Sequence, residues 1–129
     1  DNLHTVYLWG YGDRYPIAEI KNATLAQVEA AVSSIFGMTS SALAQNSLPD
    51  AAKLKALRKH TSLSKAQVTV FTHLPLIGVS SVTDPTGQTL YYEYDELGRL
   101  KRNYYYENNI MQESEKRVLQ EYDYHYRNQ

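Results

Sequence analysis

The stretch Asp84-Pro85-Thr86-Gly87-Gln88-Thr89-Leu90-Tyr91-Tyr92-Glu93-Tyr94-Asp95-Glu96-Leu97-Gly98-Arg99 decides how this chain folds. Asp at the first position, Pro at the second and Gly at the fourth are the preferences of a type I turn. The carboxylate accepts from the turn amides, Pro pre-sets φ, and Gly takes the left-handed conformation of a G1 bulge. Asp95-Glu96-Leu97-Gly98 repeats this chemistry eleven residues further on. A strand from Gln88 to Tyr94 between the turns and another from Arg99 to Tyr106 beyond them make a meander, and the tyrosines favour strand on both.

Upstream, the hydrophobic period stays at two. Val68, Val70 and Thr72 alternate with Thr69, Phe71 and His73, a β-branched pattern that predicts a strand from Gln67. Leu76 to Thr83 is expected to continue extended after Pro75. Near the start, Tyr7-Leu8-Trp9, the turn Gly10-Tyr11-Gly12-Asp13 and Tyr15 to Ile20 read as a hairpin, with glycine supplying the positive φ. Between these β regions the period changes to about 3.6. Leu25, Val28, Val32 and Ile35 or Phe36 share one helical face, Thr24 with Gln27 makes a capping box, and Gly37 is a C-terminal stop. Met38 to Asn46 reads as a loop with room for a helical turn. A second helix follows from about Pro49 to His60, capped by Ser47 or Asp50, with Leu54 and Leu57 inward and Arg58, Lys59 and His60 at the negative end of its dipole.

Past Tyr106, Glu107 to Lys116 is polar, and a last strand is expected from Val118 to Tyr126. Val118, Tyr122, Tyr124 and Tyr126 would share one face, opposite Leu119, Glu121, Asp123, His125 and Arg127. The expectation is one α+β domain over residues 1–129: an antiparallel, twisted sheet with a first hairpin (1–21), a two-helix insert (22–62) and a β-meander (67–129). Leu25, Val28, Val32, Leu54 and Leu57 would pack the insert. At 129 residues, two independent domains would each be marginal.

Net charge is −1, so no broad attraction for phosphate backbones or anionic lipid is expected, and nucleic acid is not an expected partner. No apolar run approaches the roughly 18 residues of a membrane span, and membrane insertion is not expected. Cysteine is absent, which removes disulfides and thiolate metal sites. The chain begins at Asp1 without Met and reads as a piece of something larger. Its unusual feature is 12 tyrosines against 2 phenylalanines, nine of the tyrosines lying after residue 90.

Overlaying the segments exposes a degenerate repeat. Gly87-x4-Tyr92-x-Tyr94-Asp95-x2-Gly98-Arg99-Leu100 is echoed by Val118-x3-Tyr122-Asp123-Tyr124-x-Tyr126 and loosely by Tyr11-x-Asp13-Arg14-Tyr15-Pro16-Ile17. Tyr94-Asp95-Glu96-Leu97-Gly98-Arg99-Leu100 resembles the signature of Rhs/YD-repeat proteins. Tyr15 to Ile20, Pro75-Leu76-Ile77-Gly78 before the Asp-Pro-x-Gly turn, and Tyr122 to Tyr126 extend the likeness to the C-terminal repeat region of the Bacteroidetes type. It covers the first 20 residues and 67–129. The resemblance implies a non-catalytic scaffold of a surface or secreted protein, in the cell envelope or outside the cell. Its repeats enclose or display another domain, and its partners are neighbouring repeats or domains. Asp84, Pro85, Gly87, Tyr94, Asp95, Gly98 and Arg99 are then structural motif residues. The helical segment lies outside the repeat and is expected to cap the last turns of a larger β-shell.

No catalytic or metal residues and no cofactor are expected. His4, His60, His73 and His125 form no i, i+4 pair. Asp84, Asp95 and Asp123 with Glu93 can be read as carboxylates for glycoside hydrolysis or calcium, but turn positions already account for Asp84 and Asp95, which favours the structural reading. Ser80 and Ser81 near His73 lack a nucleophile elbow. Asn22-Ala23-Thr24 matches a glycosylation sequon, but Thr24 reads better as a cap. The alternative function is a carbohydrate-binding or adhesion module, in which Tyr92, Tyr94, Tyr104, Tyr106, Tyr122, Tyr124 and Tyr126 form an aromatic platform for a glycan. Open sheet edges also predict homo-oligomers.

Overall fold

A computed structural model describes residues 4–124. The fold is α+β. Seven strands form one antiparallel sheet in sequence order: β1 His4–Gly10, β2 Tyr15–Ala23, β3 Gln67–Leu74, β4 Gly78–Thr83, β5 Thr89–Tyr94, β6 Leu100–Tyr106 and β7 Lys116–Glu121. The helical insert leaves the sheet after β2 and returns at β3, which pairs directly with β2 through Ala18↔Val70, Ile20↔Val68 and Lys21↔Gln67. The meander therefore runs unbroken past the insertion.

Local chemistry sets the insert. Thr24 Oγ1 accepts from the Gln27 amide at 3.1 Å while Gln27 Oε1 accepts from the Thr24 amide at 2.9 Å, the reciprocal capping box that starts α1 Leu25–Phe36. Gly37 ends it at φ 70°. The stretch read as a loop holds the short helix α2 Ser40–Ala44, capped by Thr39. Asp50 caps α3 Ala51–Ala56 by accepting from Ala52 and Lys53. A 3-10 turn, Leu57–Lys59, carries the helix to His60.

These helices cover one face of β1–β3. Strand register aligns Leu8 with Ala18 and Val70, and Val6 with Ile20 and Val68, in two rows that meet Val28, Val32, Leu54 and Leu57. Leu43 and Leu63, which the helical periodicity did not mark, are also fully buried. Leu25, expected inside, is 56% exposed because it is the first helical residue and lies outside the packed stripe. The row continues through Thr83 and Thr89, where the apolar core gives way to a buried hydroxyl pair at 2.8 Å.

Three segments depart from expectation. The chain does not stay extended through Pro75. It reverses over Pro75, Leu76 and Ile77, and β3 and β4 form a hairpin closed by Leu74↔Gly78. The Ile77 amide donates to Leu74 O at 3.0 Å, with Pro75 second in the turn and Leu76 third at φ 68°. That third position ordinarily calls for Gly or Asn, so the local sequence hides the turn. The first hairpin also turns differently from the others, with Tyr11, Gly12 and Asp13 all left-handed. The Gly12 and Asp13 amides donate to Asn46 O and Ala44 O at the end of α2, which holds this strained conformation. Finally, β7 starts at Lys116 and ends at Glu121. Tyr122 to Tyr124 continue outside the strand, and Tyr126, with His125 and Arg127, lies outside the described residues.

Candidate functional site

The two Asp-x-x-Gly turns are built alike. Asp84 Oδ1 accepts from the Thr86 and Gln88 amides, each at 3.0 Å, while the Gly87 amide donates to Asp84 O and the Asp84 amide to Gln88 O. Asp95 Oδ1 accepts from the Leu97 and Arg99 amides, each at 2.9 Å, with the same two backbone bonds to Gly98 and Arg99. Gly87 and Gly98 carry φ of 96° and 77°. Hydrogen bonds to the ionised form hold both carboxyls below their ordinary range. For Asp84 the largest contribution is the Thr86 hydroxyl, and for Asp95 it is the Arg99 amide. Arg99 Nε also reaches Asp95 Oδ2 at 2.8 Å, and its guanidinium lies 4.1 Å from the Tyr124 ring centre. The two turns differ in what braces them. Tyr124 covers the second, while the Arg58 guanidinium from the insert lies against Gly87 in the first.

The tyrosines do not form a single platform. Tyr104 and Tyr106 gather with Tyr91, which the sequence reading left out. Tyr91 stacks on Tyr104 with centres 5.4 Å apart and 17° between planes, and Tyr106 meets both edge-on. Burial raises the hydroxyls of Tyr91 and Tyr104 above their ordinary pKa. Lys116 Nζ sits 4.2 Å from the Tyr104 ring centre. Tyr92 pairs with Asn103, one residue out of phase, and so faces the other side of the sheet. There it lines an apolar groove of about 370 Å³ with Val82, Leu90, Tyr105 and Leu119. A bulge precedes Tyr94, whose hydroxyl donates to Val79 O across Gly78. Tyr122 donates to Gln120 Oε1 and Tyr124 to Leu100 O. The expected set is thus divided between two faces and one strand end. The register pair Tyr91↔Tyr104 was the missing signal, since cross-strand partners rather than same-strand spacing determine which rings meet.

The other polar candidates are also engaged. Glu93 pairs with Arg102 at 2.9 Å, and Arg102 bridges to Glu121 at 2.9 Å, an ion-pair ladder across β5, β6 and β7. Ser80 and Ser81 both hydrogen-bond Thr72, while His73 Nε2 bonds Pro16 O at 2.7 Å and its ring stacks on Tyr15. Tyr11 and Tyr15 extend this cluster to the reversed hairpin, where their hydroxyls accept the His73 and Leu76 amides. Asn22 of the sequon donates to Lys65 O. His60 Nδ1 accepts from the Ser62 amide. Among the described residues no three His, Asp or Glu converge as metal ligands, and no helix is long and apolar enough to cross a membrane.

Compared with protein-family models, with curated proteins and with solved structures, the chain matches none.

Proposed function

We propose that this domain is a non-catalytic scaffold module of a larger surface or secreted protein of the Rhs/YD-repeat kind, enclosing or displaying another domain. The observation that carries this reading is the identical construction of the two turns. Each Asp carboxylate is spent on two amides of its own turn, eleven residues apart, and each Gly is left-handed. Aspartates used this way serve the backbone and not a substrate. The unbroken meander supports the same reading, because among the described residues β7 pairs with β6 alone and offers its outer edge to a further strand. In this view the insert braces the module: it packs on β1–β3, and its Arg58 reaches the first repeat turn.

The test is amide exchange on this segment alone and on the same segment expressed with the sequence that flanks it in its reading frame. Amides of β7 are expected to gain protection in the longer protein as the edge acquires a partner. Unchanged exchange at β7, or a frame that holds nothing beyond these residues, would overturn the scaffold reading.

A further inference from the structure

Positive charge is distributed unevenly in this molecule. Between residues 51 and 83 there is no Asp or Glu, while Lys53, Lys55, Arg58, Lys59 and Lys65 fall within the first half of that span. In the sheet, Lys21, Arg99, Lys101, Arg102 and Arg117 each meet a carboxylate. Lys55 and Arg58 meet none among the described residues. Three positions apart, they project from the same side of α3 and its 3-10 extension toward the sheet. Lys55 lines a recess of about 200 Å³ with Gly87, Thr89, Tyr91, Tyr106, Asn109 and Met111, and the Arg58 guanidinium, outside that lining, lies against Gly87 at its border.

The recess offers hydroxyl donors as well as charge. The Tyr91 hydroxyl has only the Met111 sulfur, at 3.8 Å, and the Tyr106 hydroxyl has no hydrogen bond among the described residues. No nearby acid forms an ion pair with either cation among the described residues. Asp84 directs its Oδ1 to the amides and hydroxyl of its own turn and lines the groove on the opposite face. Glu93 is held by Arg102 and Lys101, and Glu107 by Arg117. One face of Tyr91 and one of Tyr104 are turned to each other in the stack. The chemistry of the recess suits a compact acceptor with negative charge.

We propose that the recess between α3 and strands β5 and β6 binds a small oxyanion, a sulfate, phosphate or carboxylate group. Lys55 and Arg58 neutralise it, and the Tyr91 and Tyr106 hydroxyls donate to it. The proposal stands apart from the scaffold reading and survives its failure.

The experiment is an amide NMR titration of the intact domain with sodium sulfate, sodium phosphate and sodium glucuronate, with ionic strength held constant by chloride. Saturable shifts are expected at residues 87–91 and 109–111. Lys55→Gln with Arg58→Gln should weaken binding by about tenfold or more, as loss of a charge-assisted contact implies. Lys53→Gln with Lys59→Gln, on the same helical segment, should change it by less than about twofold. Tyr106→Phe, which removes one donor and keeps the ring, should weaken it by severalfold and serves as the probe if the double variant does not fold. Tightest binding of inorganic sulfate or phosphate would identify a free tetrahedral anion as the ligand. Tightest binding of glucuronate would identify an acidic sugar. Linear, non-saturating shifts would overturn the proposal. Equal weakening by the Lys53/Lys59 pair would do the same, since either result leaves only general attraction to a basic helix.

Discussion

The hydroxyl pair Thr83–Thr89 gives the sharpest test of how the core is closed. Both residues are almost fully buried, 2% and 3% exposed, and their side chains meet at 2.8 Å where the apolar rows under the helices end. Thr83→Val keeps the shape and the strand preference but leaves the Thr89 hydroxyl buried without its partner. Orphaning a buried hydroxyl costs about 1–3 kcal/mol, and the added methyl returns somewhat less than about 1 kcal/mol. A net loss of about 1–2 kcal/mol is expected for Thr83→Val, and the same for Thr89→Val. In the double variant both orphans disappear. What remains is the lost hydrogen bond, about 0.5–1.5 kcal/mol, set against two buried methyls, so the double variant should lie within about 0.5 kcal/mol of the wild type. The cycle should depart from additivity by about 2 kcal/mol or more. Urea unfolding followed by Trp9 fluorescence and far-UV circular dichroism measures all four stabilities by linear extrapolation. A double variant destabilised by the sum of the singles would refute the reasoning, because the two hydroxyls would then be satisfied independently.

Three further outcomes are expected. Gly98→Ala should cost about 1–2 kcal/mol for backbone strain alone, because open space surrounds a Cβ there. Gly87→Ala should cost somewhat more because its φ of 96° lies further from the left-handed well than the 77° of Gly98, while the Arg58 guanidinium that the methyl meets is the movable tip of its side chain; adding Arg58→Ala should leave the difference in melting temperature in place, and its disappearance would make the Arg58 contact the cause. Leu76→Gly should raise stability by about 1 kcal/mol, since Leu76 is 89% exposed at φ 68°, and a lower urea midpoint would mean that its side chain is anchored after all. Both turn carboxyls titrate lower in the folded state than in the unfolded chain, so they contribute stability that is present above the unfolded value of about 4 and is lost as pH falls through the folded values. Urea midpoints measured from about pH 7 down to about pH 2 should therefore fall less steeply for Asp84→Asn with Asp95→Asn than for the wild type, and parallel curves would contradict the turn geometry.

Where a structural preference is written in adjacent residues, the sequence was legible. Thr24, Gln27 and Gly37 bound α1 because a capping box and a left-handed stop need no distant partner. Asp84, Gly87, Asp95 and Gly98 mark their turns for the same reason, and each carboxylate does accept the amides of its own turn. The reversal at Leu76 was not legible. Its left-handed residue carries a bulky side chain, and its amide is satisfied from far along the chain by the Tyr15 hydroxyl. The tyrosine grouping failed on register. Tyr92 and Tyr104 look equivalent by spacing, yet a shift of one residue places them on opposite faces.

By itself, then, the sequence determined the α+β class, the first helix with its caps, the two Asp-x-x-Gly turns and the inward positions Val28, Val32, Leu54 and Leu57, because these follow from periodicities and hydrogen bonds that span only a few residues. Tertiary structure alone decided that β2 and β3 pair across the insert, that Tyr91 joins Tyr104 and Tyr106, and that Lys55 and Arg58 face the sheet beside Gly87. Each of these depends on strand register and on how the helical layer docks. Both are set by the fit of buried side chains contributed from distant parts of the chain, and no local window of sequence contains that fit.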